Sequence, residues 1–217
     1  MLRRKRFSSA LTFILQRMIM ILASKSPRRI QLMQEAGFDV EIMPADIDES
    51  PIANEAPLEL VERLALLKAK AIQDKVGTTD KLILAADSIV WIDNTILGKP
   101  HDKQDAFKML KSLSGKTHHV SSGVCLIYKD KVDTFTDTTD VVFYNLTDEM
   151  INAYLESGEP FDKAGAYGIQ GTGRALVKCI NGNYFNVVGL PIAQTLRRID
   201  TLCDSNHLLE SLRREDD

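Results

Sequence analysis

The segment Ser26-Pro27-Arg28-Arg29 combines the signals of a helix start with two adjacent positive charges. Ser26 is predicted to cap the helix, and Pro27 suits the first helical position, where its missing N–H costs nothing. A helix N-terminus already presents positive charge, so two arginines in the first turn are unfavourable unless an anion joins them. Free N–H groups and forked guanidinium groups together suit a phosphate. Two solvated arginines on a surface helix would explain the same residues, and the segment alone leaves both interpretations open.

Carboxylates stand out at two further places. Asp46, Asp48 and Glu49 fall within four residues, and hard divalent cations prefer carboxylate oxygens as ligands. A solvated acidic loop is the alternative. Asp87 lies inside the apolar run 82–92, where a carboxylate is costly unless it is paired, hydrogen-bonded or bound to a metal. An aspartate satisfied by backbone N–H groups is the alternative for Asp87.

Two other features suit a ligand. Lys68 falls within the apolar stripe of a predicted helix over 57–75, so its ammonium group either reaches past the edge of the core or points into a cleft. Residues 162–173 hold four glycines in twelve positions, and glycine permits close backbone approach to a ligand. The glycine pattern matches neither a P-loop nor a GxGxxG fingerprint.

The predicted elements that would position these residues alternate between strands and helices. Buried strands are expected over 18–22 and 82–92, and half-buried strands over 38–43, 118–128 and 132–144. The stripe of the 57–75 helix is predicted to comprise Leu60, Val61, Leu64, Leu67, Ala71 and Ile72. Asn181-Gly182 predicts a type I′ hairpin between two strands, and a last helix is expected to end near Cys203. This pattern predicts an α/β domain with a mixed sheet.

Composition bounds the class of protein. The chain has 217 residues, 44% hydrophobic and 26% charged, which suits one domain with a sizeable core. A net charge of −3 and the lack of basic–aromatic interleaving argue against nucleic acid as a partner. Three cysteines without metal-ligand spacing predict reduced thiols in a cytoplasmic protein. The longest apolar runs fall short of a membrane span, so no membrane partner is expected.

The two ends of the chain look unlike the rest. Residues 1–17 are basic and then briefly apolar, which mimics a signal peptide without its cleavage site. We expect a disordered extension there, or a translation start placed too early. Residues 204–217 form a charged tail that is expected to fray.

Four stretches resemble one family when they are taken together. ASKSPRR resembles the N-terminal signature of the Maf family of nucleoside triphosphate pyrophosphatases, and ADS, GKP and KAGAYGIQG follow in that family's order and spacing. The resemblance runs from about Met18 to about Ile199. It implies one catalytic domain over 18–203 with a Maf/inosine-triphosphatase-like fold: a long twisted mixed sheet with flanking helices and two lobes around a cleft. It also implies a homodimer.

The resemblance further implies hydrolysis of a nucleoside triphosphate between its α and β phosphates. Asp87 would be the catalytic base, assisted by Glu49 and Lys99, and the pair Glu49 and Asp87 would hold Mg²⁺ or Mn²⁺. The implied phosphate-binding residues are Ser24, Ser26, Arg28, Arg29, Lys68 and Lys163. The implied base-selecting residues are Arg28, Ser88 and Gln170, which in the SPRR/GAYGIQG branch go with dTTP and UTP.

Three alternatives to the dTTP/UTP assignment remain open. A second Maf branch prefers N7-methyl-GTP, but it typically has a tryptophan near the SPRR position and lacks the GAYGIQG loop. Preference for CTP would need only a flipped Gln170 amide, which could pair with cytosine. The family is also linked to inhibition of septum formation, so a non-enzymatic regulator is the third alternative; the acids and bases of the motifs are nevertheless all present in this chain.

Overall fold

The computed structural model describes residues 18–206 and 208, and these form a mixed α/β fold around one sheet. The predicted N-terminal extension over 1–17 lies outside the described residues, as does most of the charged tail. The seven strands are β1 (Ile19–Leu22), β2 (Asp39–Ile42), β3 (Leu82–Ile92), β4 (Thr95–Leu97), β5 (Thr117–Tyr128), β6 (Lys131–Phe143) and β7 (Val177–Asn181). Their order is β2-β1-β3-β5-β6-β7, and β4 pairs with β3.

The sheet changes direction at β3. Strand β1 runs parallel to both β2 and β3, as expected where helices connect the strands, while the pairs β3–β5, β5–β6 and β6–β7 are antiparallel. Within the described residues, six helices flank the sheet: α1 (Pro27–Glu35), α2 (Pro57–Val76), α3 (Lys103–Leu113), α4 (Asp148–Glu156), α5 (Tyr184–Val188) and α6 (Ile192–Cys203). Short 3₁₀ segments span Glu159–Asp162, Ala164–Ala166 and Gly171–Leu176. The predicted mixed α/β class is confirmed.

Strand β3 is long enough to contribute to four hydrophobic clusters among the described residues, and the two largest of them are called the two cores. Its first half contributes Leu84 to a core that includes Met33 and Ile199 from the helices α1 and α6. Its second half contributes Val90 to another core, built around Leu110 of α3 and residues of α4. Because Asp87 lies between these halves, it sits at the boundary of the two cores.

Helix α2 lies unusually close to the sheet. Gly123 of β5 faces it, and a Cβ atom built on Gly123 would come within 2.1 Å of the Val61 carbonyl oxygen. Gly123 is also the register partner of Asp87. The missing side chain therefore lets α2 approach the strand pair at the level of Asp87.

The predicted apolar stripe of α2 is wrong at one position. Leu67 is 39% exposed, whereas Ala65 and Ala69 are fully buried. The close approach of α2 to the sheet favours small residues on the buried face, which explains why the larger leucine lies outside it.

The hairpin predicted at Asn181-Gly182 is also wrong. Strand β7 pairs with β6, and the residues after Gly182 form the short helix α5 instead of a strand. The Asn183 side chain accepts a hydrogen bond from the Phe185 N–H at 3.0 Å, which caps this helix. Asn186 is buried on it and donates to the Val120 carbonyl at 2.9 Å. These polar contacts outweigh the turn preference of the Asn-Gly pair.

Two smaller expectations concern partners and thiols. Among the described residues, the helices include none that combines the length and the apolarity needed to cross a bilayer. The three cysteines, Cys125, Cys179 and Cys203, are free thiols, as predicted.

Candidate active site

A cleft of about 830 Å³ opens beside the middle of β3, at the boundary of the two cores. Its volume is in the range of small-molecule sites. The candidate residues from the sequence all line it: Ser24, Ser26, Arg28, Arg29, Glu49, Lys68, Asp87, Ser88, Lys99, Lys163 and Gln170. The structure therefore brings together residues that come from six separate stretches of the chain.

The start of α1 forms one wall of the cleft. Ser26 occupies the N-cap position and Pro27 begins the helix, as predicted, but the Ser26 hydroxyl makes no capping bond. Instead the Ser26 N–H donates to the Ser24 hydroxyl at 3.1 Å. The capping role predicted for the Ser26 hydroxyl is therefore wrong; the hydrogen bond at this residue runs from its backbone to Ser24. The N–H groups of the first turn consequently face the cleft without a side-chain cap from the described residues.

Arg29 is bound within the protein. Its Nε donates to the Gly189 carbonyl at 2.8 Å, and Nη1 donates to the Ala86 carbonyl at 2.7 Å and to Ser24 Oγ at 3.3 Å. Its Nη2 donates to Ser88 Oγ at 2.9 Å. Burial lowers the pKa of Arg29 from its usual value, while the charge of Asp87 opposes that shift. Arg29 thus ties α1 to β3, and a phosphate could use only its remaining Nη2 hydrogen.

Arg28 differs from its neighbour. It is half-buried at the cleft, and it makes no hydrogen bond or ion pair with the described residues. Its guanidinium group is therefore available to an anionic ligand, and Arg29 is the arginine that contacts Ser88.

Lys68 joins the two acidic candidates. Its Nζ lies 2.6 Å from Asp87 Oδ1 and 3.0 Å from Glu49 Oε1. The side chains of Lys68 and Asp87 are only 10% and 13% exposed, whereas Glu49 is 56% exposed. Lys68 therefore points into the cleft, which answers the question that the helical stripe left open.

The structure also separates Glu49 from the other two acids of its loop. Asp46 and Asp48 are exposed and do not line the cleft. Asp48 accepts a hydrogen bond from the Ser50 N–H at 2.9 Å, and its bonds with Ser50 lower its pKa. Asp48 thus stabilises the turn, and Glu49 alone of the three approaches Asp87.

The pair Glu49 and Asp87 suits a divalent cation that also binds phosphate. Both carboxylates converge on one ammonium position, so a cation there would meet hard oxygen ligands from two sides. The described residues hold no cluster of three or more side chains that could chelate a metal by themselves. Mg²⁺ commonly takes one or two carboxylates and completes its shell with water and substrate phosphates. The residues present fit that pattern.

The two remaining lysines, Lys99 and Lys163, also line the cleft. Lys99 is exposed and has no hydrogen-bond partner among the described residues. Lys163 donates to the Glu159 carbonyl at 2.6 Å and to Asp162 Oδ1 at 2.5 Å. Lys99 can therefore meet a ligand directly, whereas Lys163 would first have to leave its present partners.

Ser88 and Gln170, two of the base-selecting candidates, also differ in whether the protein already occupies their polar groups. The Ser88 hydroxyl accepts from Arg29 and lies 2.7 Å from the Ser122 hydroxyl, so its orientation is fixed by the protein. Gln170 is exposed at the cleft, and its amide makes no hydrogen bond with the described residues. Gln170 is thus the candidate with donors and an acceptor to offer a base.

Sequence reasoning missed three residues that support the site. Ser122 is fully buried beneath Ser88. His118 is fully buried, and its Nε2 lies 2.7 Å from the hydroxyl of Tyr167 in the glycine-rich loop. Burial, and the charge of His119, lower the pKa of His118 to about 4.

Glu159, the third of these residues, accepts hydrogen bonds from the backbone N–H groups of Thr172 and Gly173 in the glycine-rich loop. Long-range pairing decides these contacts, and no local pattern signals them.

A family model described as Maf-like protein matches residues 19–202. This chain belongs to the Maf family. The match spans the sheet, helices α1 to α5, all of α6 except its last residue, and every residue that lines the cleft.

Curated Maf relatives of this chain share a name. The dTTP/UTP pyrophosphatase of Thermosipho africanus (strain TCF52B) is 51% identical over 177 residues, covering 82% of this chain and 90% of that protein. The dTTP/UTP pyrophosphatase of Bacillus anthracis (strain CDC 684 / NRRL 3495) is 48% identical over 179 residues, covering 82% and 93%. Among solved structures, the Staphylococcus aureus Ham1 protein covers 89% of this chain and 94% of its own, with 13% identity and a TM-score of 0.46.

Proposed function

We propose that this chain hydrolyses dTTP and UTP to the nucleoside monophosphate and pyrophosphate. The observation that carries the proposal is the convergence of Asp87 and Glu49 on Lys68, in a cleft that also exposes Arg28 and Lys99. Acids at the centre and cations around them suit a reaction in which water attacks a phosphate that must be neutralised. The names of relatives near 50% identity support the same activity.

The proposed roles follow from which groups are free. Arg28, Lys99 and the first-turn N–H groups of α1 would bind the phosphate chain, because none of them is occupied by the described residues. Lys163 would join them after leaving Asp162. Arg29 would contribute mainly by holding α1 against β3. These assignments give the two arginines different tasks.

Asp87 would accept the proton of the attacking water. Its Oδ1 is held by Lys68, while its Oδ2 accepts no hydrogen bond from the described residues and is free to meet water. The water oxygen would bond to phosphorus as the bridging bond between the α and β phosphates breaks, with pyrophosphate leaving. Until a cation takes its place between Asp87 and Glu49, Lys68 would keep Asp87 oriented toward the cleft.

Glu49 and Asp87 would also hold Mg²⁺ or Mn²⁺. Such a cation, when bound, would neutralise phosphate oxygens and lower the pKa of a bound water. Lys68 stands where these two carboxylates meet, so its ammonium would have to move aside for the cation.

The test is a nucleotide panel. We expect kcat/KM for dTTP and UTP to exceed that for CTP, GTP and N7-methyl-GTP, because Gln170 can offer an acceptor to N3–H and a donor to a carbonyl of uracil or thymine. A best rate with CTP or with either guanine nucleotide would contradict the proposed substrate. Absence of pyrophosphate release from the whole panel, with Mg²⁺ and with Mn²⁺, would contradict the activity.

A further inference from the structure

The segment that carries Gln170 makes few hydrogen bonds to the rest of the protein. Residues 169–173 follow the 3₁₀ segment Ala164–Ala166 and include the start of the segment Gly171–Leu176, where Gly171 adopts a φ of +63°. Glycine-rich backbone loses much conformational entropy when it is fixed. A glutamine on such a stretch can select a base only if something holds the backbone on either side of it.

The side chain of Glu159 supplies that hold. Its Oε1 accepts from the Thr172 N–H at 2.9 Å, and its Oε2 accepts from the Gly173 N–H at 3.2 Å. The Thr172 side chain also hydrogen-bonds to this carboxylate, so Glu159 binds residues 169–173 through both backbone and side-chain groups. The Thr172 N–H also holds the pKa of Glu159 below its usual range, against the effect of burial.

The Glu159 carboxylate caps the 3₁₀ segment Gly171–Leu176, a role usually filled by the side chain of the N-cap residue, here Gln170. Gln170 occupies the N-cap position of the 3₁₀ segment, yet its side chain makes no capping bond. The Thr172 N–H precedes the first i→i+3 bond of this 3₁₀ segment, and Glu159 satisfies it from thirteen residues away while also accepting from the Gly173 N–H, fourteen residues away. The Gln170 amide is therefore left to face the cleft.

The fit around the carboxylate is close. A Cβ atom on Gly171 would lie 2.5 Å from Glu159 Oε1, so the residue after Gln170 must be glycine for the carboxylate to reach the two N–H groups. Glu159 also acts through its carbonyl, which accepts from Lys163 Nζ. The stem of Lys163 packs on Gly168, where a Cβ would come within 2.9 Å of Lys163 Cε. Glu159 thus binds Lys163 before Gln170 in the loop and Thr172 and Gly173 after it.

We propose that Glu159 is a positioning residue for base selection: it fixes the backbone at Thr172 and Gly173 and so orients Gln170. The inference rests on the proposed function, because it assumes that Gln170 contacts the base. Glu159 itself need not touch the nucleotide, since its carboxylate is occupied by the loop. Its removal should therefore impair discrimination between bases more than it impairs the chemical step.

The experiment compares the ratio of kcat/KM for UTP to that for CTP in the wild type, Glu159→Ala, Gln170→Ala and the double variant. We expect Glu159→Ala to lower this ratio at least about fivefold and to cause no further fall in the Gln170→Ala background, because coupled residues are non-additive. Glu156→Ala is the matched control, since Glu156 is exposed at the end of α4 and makes no hydrogen bond with the described residues.

A second readout follows the backbone directly. Hydrogen exchange at Thr172 and Gly173 should accelerate in Glu159→Ala and also in Glu159→Gln, which retains one acceptor oxygen and should show a smaller effect. Exchange in β3 and β5 should stay at the wild-type rate. The Gln variant covers the case in which the Ala variant fails to fold.

The possible outcomes distinguish base selection by Gln170 from the positioning role of Glu159. If Gln170→Ala lowers the ratio and Glu159→Ala leaves it within twofold of the wild type, the positioning role is wrong while the proposed function stands. An equal fall caused by Glu159→Ala with and without Gln170 would also overturn the positioning role. If Gln170→Ala retains the wild-type ratio, base selection by Gln170 is wrong, and the inference about Glu159 falls with it.

Discussion

Asp87 is the residue on which the proposed chemistry depends most. Asp87→Asn keeps the shape of the side chain but removes the charge that would accept a proton and bind a cation. We expect the variant to fold and to lose about 100-fold or more in kcat, the range typical of removing a general base. Steady-state release of pyrophosphate from UTP measures the loss. Asp74→Asn is the control, because Asp74 is exposed on α2; equal rates for the two variants would remove Asp87 from the mechanism.

His118 makes a pH-dependent contribution to stability whose sign is fixed by its burial. Its folded pKa is about 4, below the unfolded value near 6.5. Above pH 6.5 the imidazole is neutral in both states; as the pH falls further, the unfolded chain takes up a proton that the folded chain refuses. The free energy of unfolding should therefore decrease as the pH is lowered from about 6.5 to about 4, with a slope approaching about 1.4 kcal/mol per pH unit.

Urea unfolding at pH 7 and pH 5 measures that slope. His118→Gln should remove it while offering an amide nitrogen to Tyr167 in place of Nε2. His101→Gln, at an exposed position, should retain it. A wild-type slope in the His118 variant would show that another group causes the acid sensitivity.

At the residue scale, the sequence could predict which side chains face the cleft but not which partners they have. Motifs placed Arg28 and Arg29 together, and nothing local told them apart. The acceptors of Arg29 are the carbonyls of Ala86 and Gly189, 57 and 160 positions away in the chain. Similarly, Glu49 is distinguished from Asp46 and Asp48 by its distance to Lys68, a contact that only the fold creates.

At the scale of elements, the contact between α2 and the sheet brings Lys68 to Asp87. Gly123→Ala would place a methyl group against the Val61 carbonyl, and backbone cannot yield as a side chain can. We expect a loss of about 3 kcal/mol in the free energy of unfolding. Gly98→Ala should change it by less than about 0.5 kcal/mol, because nothing lies within 4 Å of the added carbon.

Denaturant titration of both alanine variants provides the comparison. Equal stabilities would mean that α2 can shift away from β5 at little cost, and the proposed reason for the glycine would be wrong.

The helices and strands were predicted best where a single hydrophobic pattern, helical or extended, ran through the whole segment. The runs over 82–92 and 57–75 became β3 and α2 almost at their predicted bounds. The failure at Asn181-Gly182 came from a turn signal that competes with a helix cap: Asn183 caps α5, and buried Asn186 bonds to β5. Tertiary contacts of that kind decide short segments, because their local preferences are weak.

At the scale of the whole molecule, the cleft lies at the boundary of the two cores, so a bound nucleotide should stabilise the fold. A UTP analogue with an α,β-imido bridge should raise the melting temperature, with a stabilisation near 2.7 kcal/mol at about 100 times its Kd. Arg28→Ala should reduce the shift, because Arg28 is available for phosphate. Arg197→Ala, at an exposed position on α6, should not. Identical shifts in both variants would place the phosphates elsewhere. The homodimer implied by the family resemblance remains a prediction.

The central claim is that the chain cleaves a nucleoside triphosphate between its α and β phosphates, and the products test it most directly. Purified protein is incubated with UTP and Mg²⁺, and UMP, UDP, phosphate and pyrophosphate are separated by anion-exchange chromatography, with Asp87→Asn as the control for contaminating enzymes. We predict UMP and pyrophosphate in equal amounts, with UDP and phosphate at the level of the control. UDP and phosphate as the main products would contradict the account.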